Sequence, residues 1–84
     1  MITPAQIRAA RAALGWSAAD LAKEAGLSLR TIQAIETNLG LEKARKSSVL
    51  ALRASLESAG IEFTGTPGEV PGIRIHRVED RMNK

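Results

Sequence analysis

Two short helical segments follow one another with only two residues between them, and this spacing constrains the fold more than any other feature. The first, SAADLAKEAG, can begin at Ser17 and end at Gly26, and the second, LRTIQAIE, can begin after Ser28. Serine accepts hydrogen bonds from the first-turn amides of a helix, and glycine readily adopts the left-handed conformation that ends one. Two short helices joined by a glycine-containing turn of this length form a helix-turn-helix.

A further helix is predicted on the N-terminal side of this unit. In TPAQIRAARAAL, Thr3 can cap the helix, Pro4 suits its first position, and Gln6 completes a capping box with Thr3. Gly15 is placed to end it. On the C-terminal side, residues 37–47 are predicted to be irregular and rich in Lys and Arg, and a last helix is predicted from about Ser48 to Ala59.

Beyond Gly60 the pattern changes from helical to alternating. Apolar and polar residues alternate in IEFT and again in IRIHR, and the segment GTPGEVPG between them is dense in glycine and proline. We therefore expect residues 61–76 to form a β-hairpin in which Phe63 faces Ile73 and Glu62 faces Arg74. The sequence therefore predicts a helical domain at 1–60, a hairpin that serves as dimerisation element at 61–78, and a flexible tail at 79–84.

Composition allows one small domain and favours an anionic partner. The chain has 84 residues and two aromatics, Trp16 and Phe63, so its core must consist mainly of Leu, Ile and Ala. A net charge of +3 suits a polyanion without identifying one. No apolar run reaches membrane-spanning length, and Arg8 and Arg11 interrupt the only stretch that could resemble a signal peptide. We expect a soluble cytoplasmic protein.

Catalysis and metal binding have no support in the sequence. There is no cysteine, and the single histidine, His76, is predicted to lie on a strand without a second ligand nearby. The glycines at 65, 68 and 72 belong to a turn rather than to a phosphate-binding loop before a helix. We therefore expect neither an enzyme nor a cofactor.

The stretch LGWSAADLAKEAGLSLRTIQAIE closely resembles the core of Cro/C1-type helix-turn-helix transcriptional regulators, the xenobiotic-response-element family. The positions that fit the family pattern are Leu21, Ala22, Gly26, Ser28, Ile32, Ile35 and Glu36. The likeness extends over about residues 4–58. It implies a mainly α fold, a lambda-repressor-like bundle of four to five short helices, here followed by a β-hairpin. It also implies a dimeric regulator that binds an operator in double-stranded DNA.

The face of residues 29–36 that turns away from the core is the candidate for reading bases. At helical spacing Ile32 and Ile35 point inward, which leaves the outer face to four residues, Leu29, Arg30, Gln33 and Ala34. Arginine pairs bidentately with guanine, glutamine can pair with adenine or a phosphate, and leucine can contact a thymine methyl group. Glu36 is expected to form an internal ion pair with Arg8 or Arg11 rather than to touch DNA.

Phosphate contacts are expected from first-turn amides and hydroxyls of both helices and from the basic segment after them. The candidates are Ser17, Ser28, Thr31, Thr37, Asn38, Lys43, Arg45 and Lys46. Relatives usually carry glutamine where this chain has Ala18, and often again where it has Leu29. Without that pair, either base reading depends on Arg30 and Gln33 with a methyl contact from Leu29, which we favour, or DNA affinity is weak.

A near-palindromic operator requires a homodimer, and two surfaces could form it. One is the hairpin, whose strand edge a second copy could pair with, and the other is the loop of Leu39 and Leu41 together with the last helix. The candidate interface residues are Leu39, Leu41, Ile61, Phe63, Ile73 and Ile75. The rival interpretation is a protein-interaction module, an antitoxin or anti-repressor, whose hairpin binds a toxin or another protein by strand addition, with or without autoregulatory DNA binding.

Overall fold

A computed structural model describes residues 2–37, 40–66 and 68–76. These residues form a mainly helical fold with a C-terminal antiparallel hairpin, as predicted. The elements are α1 Pro4–Leu14, α2 Ala18–Ala25, α3 Leu29–Ile35, α4 Gly40–Lys43, α5 Lys46–Ser58, β1 Ile61–Thr66 and β2 Glu69–Ile75. None of these helices is long and apolar enough to cross a membrane.

The helix ends follow the capping signals in the sequence. Thr3 accepts from the backbone N–H of Gln6 at the start of α1, and the Gln6 side chain accepts from the backbone N–H of Thr3 at 2.8 Å. Gly15 and Gly26 end α1 and α2 with φ near 70°, a conformation that favours glycine. The turn between α2 and α3 is therefore short because both of its ends are capped locally.

The segment between α3 and α5 differs from the prediction. Residues 37–47 were expected to be irregular, but they contain α4, and α5 begins at Lys46, two residues before the predicted start. Arg45, which precedes α5, makes no side-chain capping bond, so the sequence carries no start signal there. A side chain at Gly40 would collide with the backbone carbonyl of Ala34, which shows how closely α4 packs against α3.

One continuous core joins the helices and the hairpin. Helix α2 packs against both α3 and α5, β1 packs against α5, and β2 packs against α1. Trp16 is half-buried and packs against this core. The buried apolar residues are Ile2, Ile7, Ala10, Leu21, Ala22, Ile32, Ile35, Leu52, Leu56 and Ile61.

The hairpin has the predicted register, and the side chain of Gln6 hydrogen-bonds both of its strands to α1. Phe63 pairs with Ile73, and Glu62 pairs with Arg74. The side-chain amide of Gln6 donates to the carbonyl oxygens of Thr64 at 3.1 Å and Gly72 at 2.7 Å, one on each strand. Gln6 is only 3% exposed, so these bonds are shielded from water. The hairpin is thus part of the domain rather than an appendage.

Several expectations for the hairpin and its surroundings need correction or fall outside the described residues. Ile61 is 2% exposed and belongs to the core of this chain, so its side chain leaves almost no surface for the expected dimer contact. Phe63 and Ile73 are half-buried against the same core, whereas Ile75 is 57% exposed. Leu41 is half-buried. Asn38, Leu39 and the tail at 79–84 lie outside the described residues.

Candidate nucleic-acid interface

Helix α3 turns one face to the core and the other to solvent. Ile32 and Ile35 are buried, while the four candidates for base reading, Leu29, Arg30, Gln33 and Ala34, are all exposed. Leu29 is 41% exposed although it is a large apolar residue. An apolar side chain on an otherwise polar helix face suggests contact with another molecule. The structure therefore presents these four side chains together on one open face.

An ion pair fixes the direction of this face. Arg11 donates from Nε and Nη2 to the two carboxylate oxygens of Glu36, at 2.7 and 2.9 Å, and from Nη1 to the backbone oxygen of Trp16. Arg8 donates to the backbone oxygen of Glu36 at 2.8 Å. The sequence could not choose between Arg8 and Arg11, and both contact Glu36 in different ways. Together they hold the C-terminal end of α3 against α1.

The first turn of α3 is capped by its own hydroxyls. Ser28 Oγ accepts from the backbone N–H of Thr31 at 3.1 Å and lies 2.8 Å from Thr31 Oγ1. Thr31 is half-buried, whereas Ser28 is exposed. These two candidates for phosphate binding therefore hydrogen-bond to each other in the free protein.

The start of α2 is closed by a reciprocal cap between Ser17 and Asp20. The backbone N–H of Ser17 donates to Asp20 Oδ2 at 2.9 Å, and the N–H of Asp20 donates to Ser17 Oγ at 3.0 Å. The bond from the Ser17 backbone is the main cause of the lowered pKa of the Asp20 carboxyl. The side chain of Ala18 is half-buried and has no polar group, so only its backbone N–H can donate there. The amide of Ser17 is thus already occupied, by a carboxylate.

An open groove lies between α3 and the start of α5, and three cationic side chains line it. We call it the cationic groove; its charged residues are Arg30, Lys43 and Arg45. The remaining lining residues are Thr31, Ala34, Ile35, Thr37, Gly40, Ala44 and Ser48. The Thr37 hydroxyl donates to the backbone oxygen of Ala34 at 2.7 Å. Lys46 is exposed on the first turn of α5 but does not line the groove.

Sequence reasoning identified the charged residues of this groove but not its form. The sequence suggests Arg30 for contacts with bases and Lys43 and Arg45 for contacts with phosphates. Nothing in the sequence indicates that these three side chains line one groove. Ser48 also lines the groove, although the sequence indicates nothing for it beyond the predicted start of the last helix. The close approach of α4 to α3 brings these residues together, and the glycine at 40 that permits it was the one signal available.

The other charged cluster lies on the outer face of the hairpin. Glu62 contacts Arg74 at 3.3 Å and His76 Nε2 at 3.0 Å; Arg74 and His76 are exposed, and Glu62 is half-buried. Among residues 2–37, 40–66 and 68–76 there is no group of three His, Cys, Asp or Glu that could hold a metal ion. This cluster is therefore an exposed ion-pair network, of a kind that contributes little to stability.

The comparison with known families finds a match in the helical part of the chain. A family model described as helix-turn-helix matches residues 7–46, which run from α1 to the first residue of α5. This match confirms the resemblance to the Cro/C1 type over that range. No curated protein matches the chain significantly.

Proposed function

We propose that this chain is a sequence-specific transcriptional regulator that places α3 in the DNA major groove. The match of residues 7–46 to the helix-turn-helix family model supports this proposal. The observation that carries the proposal is the exposed face of Leu29, Arg30, Gln33 and Ala34, held in a fixed direction by the Glu36 ion pair. In a helix-turn-helix the second helix enters the major groove with its N-terminal residues toward the bases. Arg30 is in the first turn of α3.

The chemistry of these side chains suits base edges. The guanidinium fork of Arg30 matches the two acceptors that guanine presents in the major groove. Gln33, one turn further, can pair with adenine, and the apolar Leu29 and Ala34 can contact thymine methyl groups. Lys43, Arg45 and Lys46 supply charge for sequence-independent contacts with phosphates. We propose no catalytic role, and we expect the protein in the cytoplasm, where it meets the DNA.

Replacing Arg30 by alanine is expected to reduce the preference for operator over scrambled DNA by about 10- to 100-fold, since one bidentate pair contributes ~1–3 kcal/mol of discrimination. The side chain is exposed, so the fold should be unaffected. Competition binding, followed by fluorescence anisotropy, measures the preference directly.

The matched control is Arg74→Ala, which removes the same charge from the exposed face of the hairpin. It should lower affinity slightly and leave the preference intact. If Arg30→Ala keeps the wild-type preference, Arg30 does not read bases and the proposed role of α3 fails.

We further propose that the regulator is a homodimer, most simply a repressor, whose two α3 helices lie about 34 Å apart, one turn of DNA. The exposed Ile75 on β2 makes the hairpin the favoured interface, and the edges of a two-stranded sheet can pair with another strand. Leu41 with α5 is the other candidate. A second copy at the hairpin would cover Ile75 without disturbing Ile61.

Ile75→Lys is therefore expected to convert the dimer into a monomer, because it places a charge at the proposed contact. Sedimentation velocity over a range of concentrations measures the change. Removing the hairpin would be a poorer test, since Ile61 belongs to the core. A variant that still sediments as a dimer would move the interface to Leu41 and α5.

A second candidate function is a protein-interaction module, such as an antitoxin or anti-repressor. The observation in its favour is that β2 also carries Val70, which is 90% exposed and has a φ of 50°, an uncommon conformation for a β-branched residue. Arg30 separates the two functions. If Arg30→Ala leaves the biological activity intact while Ile75→Lys removes it, the chain binds a protein rather than an operator.

A further inference from the structure

We propose that Leu29 contacts the C5 methyl group of a pyrimidine in the major groove, carried by thymine or by 5-methylcytosine, so that methylation of a cytosine at this position of the operator strengthens binding. This inference depends on the proposed function and names the chemical group of the DNA that one side chain recognises. It makes an apolar side chain a source of sequence discrimination beside the polar side chains of Arg30 and Gln33.

The exposed face of α3 has two sides, and Leu29 lies on the side away from the cationic groove. An α-helix has 3.6 residues per turn, so residues four apart lie nearly above one another. Arg30 and Ala34 form one such pair, and both line the cationic groove. Leu29, the first residue of α3, forms the other pair with Gln33. Each side of the face therefore combines one polar and one apolar side chain.

The chemistry of Leu29 leaves one feature of a base pair for it to recognise. Its side chain has no donor or acceptor, and the residue is 41% exposed. The major-groove edges of the base pairs present hydrogen-bond donors and acceptors together with one apolar group, the C5 methyl of thymine. Cytosine presents the same methyl group from the same ring position once it is methylated at C5. Leu29 thus suits both bases and gains nothing from unmethylated cytosine.

The surroundings of Leu29 favour a methyl group over a protein surface. Arg30 and Gln33 flank it on the exposed face, and the cationic groove lies beyond Arg30. A stable protein interface buries about 800 Å² on each partner around an apolar centre. One leucine between polar side chains is too small for such a centre, whereas it matches a single methyl group. The positive charge beside it favours an anionic ligand, as DNA is.

Replacing thymine by deoxyuridine tests the inference, because it removes one methyl group and keeps every hydrogen-bonding group of the base. Each thymine in a duplex from the promoter of the protein's own gene is replaced in turn. At one or more positions wild type should lose affinity by about fourfold, the effect of one buried methyl group. For Leu29→Ala the same replacement should change affinity by less than about 1.5-fold. The four affinities form a double-mutant cycle that isolates the contact.

The matched control is Leu50→Ala, which truncates another exposed leucine outside the recognition face. Leu50 lies on α5 and is 59% exposed. This variant should keep the full loss of affinity on replacement of the sensitive thymine. Both substituted side chains are exposed, so both variants should fold, and thermal unfolding verifies that they do.

The second arm separates the two bases that could carry the methyl group. At the sensitive position the thymine·adenine pair is replaced by cytosine·guanine, with the cytosine either unmethylated or methylated at C5. Wild type should bind the methylated duplex about fourfold more tightly, and Leu29→Ala should bind the two duplexes equally. A loss with deoxyuridine without a gain from 5-methylcytosine would overturn the response to methylation.

The failure of this inference is distinguishable from the failure of the proposed function. Wild type that prefers the promoter duplex to a scrambled one, but loses no affinity with deoxyuridine at any position, overturns the inference alone. Equal losses in wild type and Leu29→Ala do the same, because the methyl group is then recognised by another side chain. Wild type without any preference for the promoter duplex overturns both.

Discussion

Glu36→Ala is expected to lower the free energy of unfolding by about 2–4 kcal/mol, because it leaves the guanidinium of Arg11 largely buried without its counter-charge. The side chains of Arg11 and Glu36 are only 20% and 11% exposed, and two hydrogen bonds of 2.7 and 2.9 Å join them. Removing one partner of such a pair costs more than the pair contributes. Urea unfolding followed by circular dichroism gives the free energy.

A control within the same chain separates the effect of breaking a buried ion pair from the effect of removing a negative charge. Glu57→Ala breaks the exposed pair between Arg53 and Glu57 on α5, whose side chains are 35% and 45% exposed. That change should cost no more than about 0.5 kcal/mol. The double variant of Arg11→Ala with Glu36→Ala should be less destabilised than the sum of the single variants. Equal costs for Glu36→Ala and Glu57→Ala would show that the ion pair does not hold α3.

Gln6→Leu is expected to be destabilising by about 2–3 kcal/mol, because leucine fills a similar volume but makes none of the three hydrogen bonds of Gln6. The carbonyl oxygens of Thr64 and Gly72 lose their side-chain donor, and the capping box at Thr3 is broken. Amide hydrogen exchange should accelerate across the hairpin more than in α2 and α5, since Gln6 is the side chain that joins both strands to α1.

Gln33→Leu serves as the control for this variant. Gln33 is exposed on α3, so the same substitution should change the free energy of unfolding by less than about 0.5 kcal/mol. Two results would contradict this prediction: equal free energies of unfolding for Gln6→Leu and Gln33→Leu, or hydrogen exchange that accelerates uniformly over the chain. Either would show that the hydrogen bonds from Gln6 to the hairpin do not stabilise the fold.

The local features of the fold were predictable because their causes are local. Local neighbours or alternation along a strand determine the capping box at Thr3, the cap at Ser17, the glycines at 15 and 26 and the pairing of Phe63 with Ile73. The outward face of α3 followed in the same way from the helical spacing of Ile32 and Ile35.

The features that were missed depend on residues far apart in the chain. The carbonyl partners of the Gln6 amide lie 58 and 66 residues further on, so the sequence predicted its cap but not its contact with the hairpin. The alternating pattern predicted that Ile61 lies on the apolar face of the hairpin. It could not show whether that face packs against the core of the same chain or against a partner. Helix α4 is only four residues long and lacks a capping signal, so the segment 37–47 was expected to be irregular.

The central claim is that the exposed face of α3 reads DNA sequence, and a salt titration of the wild-type protein tests it most directly. Fluorescence anisotropy would follow binding to DNA from the promoter of its own gene and to a scrambled duplex. We predict a steep salt dependence for both duplexes and a preference for the promoter of at least about 10³. Equal affinity for the two duplexes, or no binding at moderate salt, would contradict the claim.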